Sequence, residues 1–209
     1  MIRRIIALAV LAVSALVLAA CGTSGVPAAT GSPAPAATQE PGPAAEEGTE
    51  ASNILVAYFS WSGNTAEMAA YIAGRTGGDL LEIQPETPYP EDYGECGDVA
   101  LAERDSGARP AIANLPENLD GYDTLFIGYP IWNADLPMPL YTFLETYDFG
   151  GAVIVPFTVH GGSGLAGTPA AIQQLQPDAK VVTDALSISR SSVTTAPEAV
   201  SAWLDRLGI

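Results

Sequence analysis

The stretch that decides the fold is Ile54-Leu55-Val56-Ala57-Tyr58-Phe59, followed at once by Ser60-Trp61-Ser62-Gly63-Asn64-Thr65. The first six residues form an apolar run typical of a buried strand, and the next six form a turn rich in glycine and hydroxyl groups that opens a helix-patterned segment. Unpaired N–H groups and partial positive charge at a helix start bind anions such as phosphate. The sequence therefore predicts a phosphate-binding turn between a first strand and a first helix.

The composition of this turn excludes two common phosphate-binding motifs. It has no lysine, which P-loop nucleotide hydrolases place on the phosphates, and it lacks the glycine spacing of dinucleotide-binding folds. The side chains of Ser60, Ser62, Asn64 and Thr65 are neutral hydrogen-bond donors. We therefore expect a single terminal phosphate that is held by neutral donors.

Three segments together resemble the flavodoxin family. Residues 60–65 are similar to its phosphate loop, [ST]-x-[ST]-G-N-T, and two later segments stand where the family has its flavin-ring loops: Gly128-Tyr129-Pro130-Ile131-Trp132 and His160-Gly161-Gly162-Ser163-Gly164. The resemblance runs from about Asn53 to the C-terminus and implies non-covalently bound FMN. The cofactor-binding residues that it implies are Ser60, Trp61, Ser62, Gly63, Asn64, Thr65, Pro130, Ile131, Trp132, Asn133, Thr158, His160, Gly161, Gly162 and Ser163.

Aromatic residues in these loops are candidates for contact with the flavin. Trp132 is the candidate for stacking, because indole offers the largest flat apolar face; the alternative is that it packs in the core. Trp61 is expected on the phosphate or ribityl side. Related sequences often have a second aromatic residue after the tryptophan, where this chain has Asn133. We therefore expect one face of the flavin to be more exposed, or to be bonded by the Asn133 amide.

His160 is the only histidine of the chain. It is either a structural histidine or a group that bonds near the flavin or switches its protonation near neutral pH. A serine hydrolase is disfavoured, because the residues around Ser163 lack the nucleophile-elbow pattern and no second histidine could act as the base. We assign no catalytic acid or nucleophile, and the carboxylates have no ligand spacing that would predict a metal site.

The N-terminal quarter has the pattern of an exported lipoprotein. Residues 1–20 predict a signal peptide, with Arg3 and Arg4 before an apolar run. Leu18-Ala19-Ala20-Cys21 resembles a bacterial lipobox, which implies cleavage before Cys21 and lipid on its thiol; ordinary signal cleavage nearby is the alternative. In residues 22–52, 25 of 31 positions are Ala, Pro, Gly, Thr or Ser. Such a composition predicts a disordered linker, so residues 21–52 would comprise this linker and the Cys21 that the lipobox resemblance implies to be lipidated.

The charge of the chain restricts its partners. Its formal net charge is −16, and removal of Arg3 and Arg4 with the signal would make it −18. A protein this acidic is not expected to bind nucleic acid. Its negative charge instead favours a basic protein as the partner. We expect the lipid alone to contact the membrane. If Cys21 is lipidated, Cys96 is the one thiol left, and we interpret it as a half-buried spacer.

The remaining 157 residues predict one α/β domain over 53–209. Apolar runs alternate with helical patterns, which is typical of a doubly wound parallel sheet, here five-stranded and flavodoxin-like with strand order 2-1-3-4-5. In that order the loops after strands 1 and 3 flank one crevice. The expected strands are 54–59, 80–83, 124–128, 152–157 and 181–188, and the expected helices are 64–76, 98–106, 139–147, 168–175 and 197–207.

Two functions are compatible with these features. The favoured one is electron transfer between redox partners outside the cytoplasmic membrane, for which the acidic surface and the tether are suited. The alternative is an FMN-dependent reductase of quinones or other small acceptors, which needs room over the flavin face. A third and weaker possibility is a binding protein without redox activity, which keeps the fold for another ligand.

Overall fold

The computed structural model describes residues 53–209. The predicted signal peptide, Cys21 and the linker lie outside this range. The strands are β1 Ile54–Tyr58, β2 Asp79–Glu82, β3 Thr124–Pro130, β4 Val153–His160, β5 Lys180–Val181 and β6 Leu186–Ser189. The helices are α1 Asn64–Thr76, α2 Tyr93–Ser106, α3 Met138–Thr146, α4 Thr168–Leu175 and α5 Ala196–Leu207, with a 3-10 helix at Arg190–Thr195.

All strand pairs of the sheet are parallel, in the order β2-β1-β3-β4-β5. This confirms the predicted doubly wound fold. Alternate residues of the central strands point to opposite faces. On one face they pack with α3 and α4, through residues such as Phe143 and Ile172, and on the other with α1 and α5, through residues such as Met68 and Trp203. Both faces are therefore buried, as parallel sheets require.

The fifth position of the sheet differs from the prediction. We expected one strand over 181–188, but two short strands, β5 and β6, occupy it and both pair with β4. Ile154 pairs with Val181 and Phe157 pairs with Leu186, so the interruption lies beside Pro156. Because proline has no N–H to donate to a neighbouring strand, the pairing is interrupted there.

Helix α2 begins at Tyr93, five residues before the predicted start. Asp92 is its N-cap, and its Oδ1 accepts hydrogen bonds from the N–H groups of Gly94 and Glu95 at 2.9 and 3.0 Å. The helix predicted over 98–106 leaves Asp92 outside its first turn. A carboxylate at the N-cap instead stabilises the first turn, which is why the helix starts there.

The two central strands meet closely at their carboxyl ends. Both run further than predicted, to Pro130 and His160 instead of 128 and 157. The Phe157 ring lies against Gly128, where an added Cβ would come within 2.1 Å of the ring. Only glycine therefore fits at position 128.

Of the helices between residues 53 and 209, none has both the length and the hydropathy that a membrane span requires.

Candidate cofactor-binding site

The carboxyl ends of β1, β3 and β4 open into one cavity of about 370 Å³, which we call the first cavity. A crevice at this end of an open parallel sheet, where the chain direction reverses between β1 and β3, is the usual ligand site of such folds. Twelve predicted cofactor-binding residues border it: Trp61, Ser62, Asn64, Thr65, Pro130, Ile131, Trp132, Asn133, His160, Gly161, Gly162 and Ser163.

The turn before α1 is shaped to bind an anion. Gly63 is the N-cap with a left-handed φ of 83°, and as a glycine it has no side chain with which to cap the helix. Ser60 Oγ accepts from the N–H of Ala66 at 3.2 Å. The N–H groups of Asn64 and Thr65 find no acceptor within residues 53–209. They are therefore available to a phosphate, as is the Ser62 hydroxyl, which meanwhile accepts from the Asn64 amide at 3.0 Å.

Three predicted site residues do not border this cavity: Ser60, Gly63 and Thr158. Ser60 and Gly63 shape the turn as described above. Thr158 lies inside β4 and is fully buried, and its hydroxyl donates to the Tyr129 carbonyl at 2.7 Å. The Thr158 side chain thus links β4 to β3, and the assignment of this residue to the cofactor stays a prediction.

Trp132 combines the two roles that the sequence left open. It packs edge-on against Phe59 and Tyr89, with ring centroids 5.2 and 4.9 Å apart, and it also borders the cavity. Trp61 donates from Nε1 to the Pro90 carbonyl at 2.9 Å and its ring lies 6.1 Å from that of Tyr93. Both indoles are thus held by neighbours while one side of each faces the cavity.

Asn133 lies at the tip of a tight turn. Trp132 and Asp135 exchange backbone hydrogen bonds of 3.1 and 2.8 Å, and Asn133 and Ala134 between them have φ of 50° and 58°. This is the geometry of a two-residue turn with both central residues left-handed, which Asn tolerates better than Ala. Arg104 of α2 donates to the Asn133 carbonyl at 3.1 Å, and Asn133 borders the cavity.

His160 is held in one tautomer by its own loop. Its Nδ1 accepts from the Gly162 N–H at 2.9 Å, so in the neutral ring the proton is on Nε2. Gly162 adopts a φ of 138°, a conformation that suits glycine. Nε2 is left to donate to a ligand.

Four further residues border the first cavity that the sequence analysis missed: Tyr93, Ala134, Val159 and Arg190. Arg190 follows β6, and the pairing of Ser189 with His160 places it beside the glycine loop. Its Cζ lies 3.9 Å from where a Cβ on Gly161 would be, and it forms no ion pair within residues 53–209. The expectation of neutral donors alone is therefore incomplete, because one cation faces the cavity.

A second cavity, of about 360 Å³, adjoins the first. The two share a wall of five residues, which comprises Trp61, Tyr93, Ile131, Trp132 and Asn133. The far side of the second cavity is α2. Cys96 of this helix is buried, not half-buried as predicted. Its burial, and to a smaller extent the nearby Glu103 carboxylate, raises the pKa of its thiol.

In the described part of the chain, no group of His, Cys, Asp and Glu could hold a metal ion.

The fold and the cavity define an open α/β protein with a ligand site at the carboxyl ends of its strands. A sequence profile of the flavodoxin family matches residues 53–207, and the chain belongs to that family. A candidate flavoprotein from Bacteroides eggerthii is 34% identical, with a TM-score of 0.63 and coverage of 75% of this chain and 98% of that chain.

Two further solved structures are similar. A candidate flavoprotein from Bacteroides uniformis is 31% identical, with a TM-score of 0.57 and coverage of 69% of this chain and 97% of that chain. A flavoprotein from Lactobacillus acidophilus in complex with FMN is 24% identical, with a TM-score of 0.53 and coverage of 68% and 96%; this likeness supports the fold alone. No match is found among the curated proteins.

Proposed function

We propose that the protein binds FMN in the first cavity and acts as a redox protein. The observation that carries this proposal is that the anion-binding turn before α1 and the loops after β3 and β4 all border the same cavity. Its volume of about 370 Å³ is within the range of small-molecule sites. FMN is also the ligand of the Lactobacillus acidophilus flavoprotein with the same fold.

The residues present suit the two ends of FMN. The free N–H groups of Asn64 and Thr65 and the Ser62 hydroxyl would hold the phosphate. Trp132 would offer its exposed side to the ring, and the glycine loop after His160 would bring backbone N–H groups to the polar edge of the ring. FMN supplies the electron-transfer chemistry when bound, and the protein binds, orients and partly shields it.

Titration of the full-length protein with FMN, FAD and riboflavin tests this proposal. We expect FMN to bind more tightly than riboflavin, because riboflavin lacks the phosphate that the turn before α1 would bind. We expect it to bind more tightly than FAD, because the turn has no pyrophosphate pattern. Heat release should yield FMN from the purified protein. No uptake of FMN, or a preference for FAD, would contradict the proposal.

The cellular role that we propose is electron transfer at the outer face of the cytoplasmic membrane. The support is the signal-like start, the lipobox-like Leu18-Ala19-Ala20-Cys21 and the acidic folded part. Residues 53–209 contain six Lys or Arg against 20 Asp or Glu, which favours a basic redox partner. Cys21→Ser should abolish lipid attachment and release the protein from membranes or block its processing. Equal membrane fractions and no lipid mass on the wild type would contradict the anchor.

The second cavity favours an alternative, FMN-dependent reduction of quinones or other small acceptors. An enzyme of this kind needs space for an acceptor beside the flavin, and this cavity shares five wall residues with the first one. Turnover of NADPH with a soluble quinone distinguishes the two functions. A carrier is expected to show no turnover above that of free FMN, whereas a reductase would show saturable turnover that depends on the protein.

A further inference from the structure

Charged side chains are distributed unevenly around the first cavity. Of the 20 Asp and Glu residues between positions 53 and 209, none borders this cavity, whereas Arg190 does. The folded part as a whole is strongly acidic, so its electric field opposes the addition of negative charge to a bound molecule. The border of the first cavity is therefore an exception to the charge of the rest of the domain.

Arg190 also differs from the other arginines of this domain. Each of the other four forms an ion pair with an Asp or Glu, at N···O distances between 2.6 and 3.4 Å: Arg75, Arg104, Arg109 and Arg206. Arg190 forms no ion pair within residues 53–209, and it is exposed. Because a guanidinium is charged at all relevant pH values, this one is available to a negative charge on a ligand.

The register of the sheet places Arg190 beside the glycine loop. Ser189 pairs with His160, and the Arg190 Cζ lies 3.9 Å from the position that a Cβ on Gly161 would take. Two strands, β3 and β4, lie between β6 and β1, and the turn before α1 follows β1. With about 4.8 Å between neighbouring strands, β6 is roughly 14 Å from β1. Arg190 therefore lies on the side of the cavity that we assign to the polar edge of the ring.

We propose that Arg190 compensates the negative charge that the bound cofactor gains on reduction, and that it thereby raises the reduction potential of this acidic protein. The inference rests on the proposed binding of FMN in the first cavity. Two electrons and one proton together add one negative charge to a flavin ring. A guanidinium beside the polar edge of the ring favours this charged form over the neutral oxidised form, because a hydrogen bond to a charged acceptor is the stronger one.

The phosphate of FMN already has donors of its own. These are the free N–H groups of Asn64 and Thr65 and the Ser62 hydroxyl, which belong to the turn before α1. A cation at the phosphate would strengthen the binding of FMN but not that of riboflavin, and it would act alike on the oxidised and reduced forms. A cation at the ring strengthens the binding of both flavins, and that of the reduced form most. The two positions can therefore be distinguished.

Arg190→Gln and Arg190→Lys test the proposal, with Lys180→Gln as the matched control. Lys180 is also exposed and without an ion pair within residues 53–209. It pairs with Val153 at the start of β4, whereas Ser189, next to Arg190, pairs with His160 at the end of that strand. The seven steps between these ends span roughly 23 Å, more than the Debye length of about 10 Å at 0.1 M salt. The control thus removes an equal charge far from the cavity.

The reduction potential is the main measurement. The full-length protein, saturated with FMN, is reduced without oxygen at mildly alkaline pH beside a reference dye; dithionite, which is oxidised to sulfite, supplies the two electrons and water supplies the proton. We expect Arg190→Gln to weaken the binding of reduced FMN about tenfold more than that of oxidised FMN, which lowers the two-electron potential by about 30 mV. Arg190→Lys should recover part of this shift, because it keeps the charge, and Lys180→Gln should match the wild type.

Titration with oxidised FMN and with riboflavin shows which end of the cofactor Arg190 serves. We expect Arg190→Gln to weaken the binding of both flavins by the same factor. A potential of Arg190→Gln equal to that of the wild type would overturn the proposal, as would an equal shift in Lys180→Gln. A loss of affinity confined to FMN would also overturn it, because Arg190 would then serve the phosphate. A wild type that takes up no FMN would overturn the proposed function itself, and this inference with it, and uptake is measured first.

Discussion

Helix α1 offers a sharp test of phosphate binding, because left-handed glycines stand at both of its ends. Gly63 at the N-terminus has a φ of 83° and Gly77 at the C-terminus has a φ of 68°. An added Cβ at either position would meet no atom within 4 Å, so alanine changes only the backbone preference. A left-handed residue other than glycine costs roughly 1–2 kcal/mol. In a domain of this size that lowers the Tm by roughly 2–8 °C.

The two substitutions should have the same effect on stability but different effects on FMN binding. Gly63→Ala should shift the turn that aims the N–H groups of Asn64 and Thr65 at the phosphate, whereas Gly77→Ala is at the far end of the helix. One hydrogen bond to a charged group contributes about 1.5–3 kcal/mol. Loss of one such bond therefore weakens FMN binding by roughly ten- to a hundredfold.

Thermal denaturation of the FMN-free proteins and fluorescence titration with FMN and riboflavin measure both effects. We expect both variants to lose similar stability and only Gly63→Ala to lose affinity for FMN. Its affinity for riboflavin should change little, because riboflavin has no phosphate. An FMN affinity of Gly63→Ala equal to that of Gly77→Ala would refute the assignment of this turn to the phosphate.

Three further results are expected. Arg190→Gln should weaken FMN binding about tenfold or more in the same titration, since it removes the cation that faces the first cavity. Arg75→Gln is the control: it removes an equal charge from a residue that does not border the first cavity, so it should have no effect on FMN affinity. Gly128→Ala should lower the free energy of unfolding by about 3 kcal/mol or more, because the added methyl group overlaps the Phe157 ring. In denaturant titrations, Phe157→Leu made in the same protein should restore part of this lost stability. If the double variant instead loses the sum of the two single losses, the overlap is not the cause. Iodoacetamide at neutral pH should alkylate Cys96 in the folded protein much more slowly than a free thiol, because burial raises the pKa of its thiol. The same shift should make the protein lose stability as the pH rises above the ordinary thiol pKa; alkylation of the folded protein as fast as that of a free thiol would contradict both.

The sequence predicted those parts of the fold that depend on local pattern. Helix α1 begins and ends as expected, because Gly77 marks its end, and α4 matches its predicted bounds of 168–175. The edge position of β2 also agrees, with Leu80 half exposed at 51%. These features follow from residues that are neighbours in the chain.

The differences arise where distant segments meet. The interruption between β5 and β6 depends on Pro156, which stands in another strand. Arg190 reaches the first cavity only because of the register between β6 and β4, which no local pattern reveals. Alternation along β4 separates two neighbours: Val159 borders the cavity, whereas the Thr158 hydroxyl bonds to the Tyr129 carbonyl.

The weak attachment of α2 has a consequence for how molecules enter and leave. Of its 14 residues, only Cys96 and Ala100 are buried, whereas α1 buries five of its 13. Helices with few buried contacts open locally at a lower free energy than the rest of the domain. The hydrogen bond from Tyr89 to Glu103 and that from Arg104 to the Asn133 carbonyl are the main polar ties that such an opening would break.

Because α2 carries Tyr93, its detachment would uncover the shared wall while the sheet stays intact. The amides of α2 should then exchange their hydrogens faster than those of α1, and occupation of either cavity should slow them. Local opening of α2 would thus set the rate at which both cavities exchange their ligands with solvent.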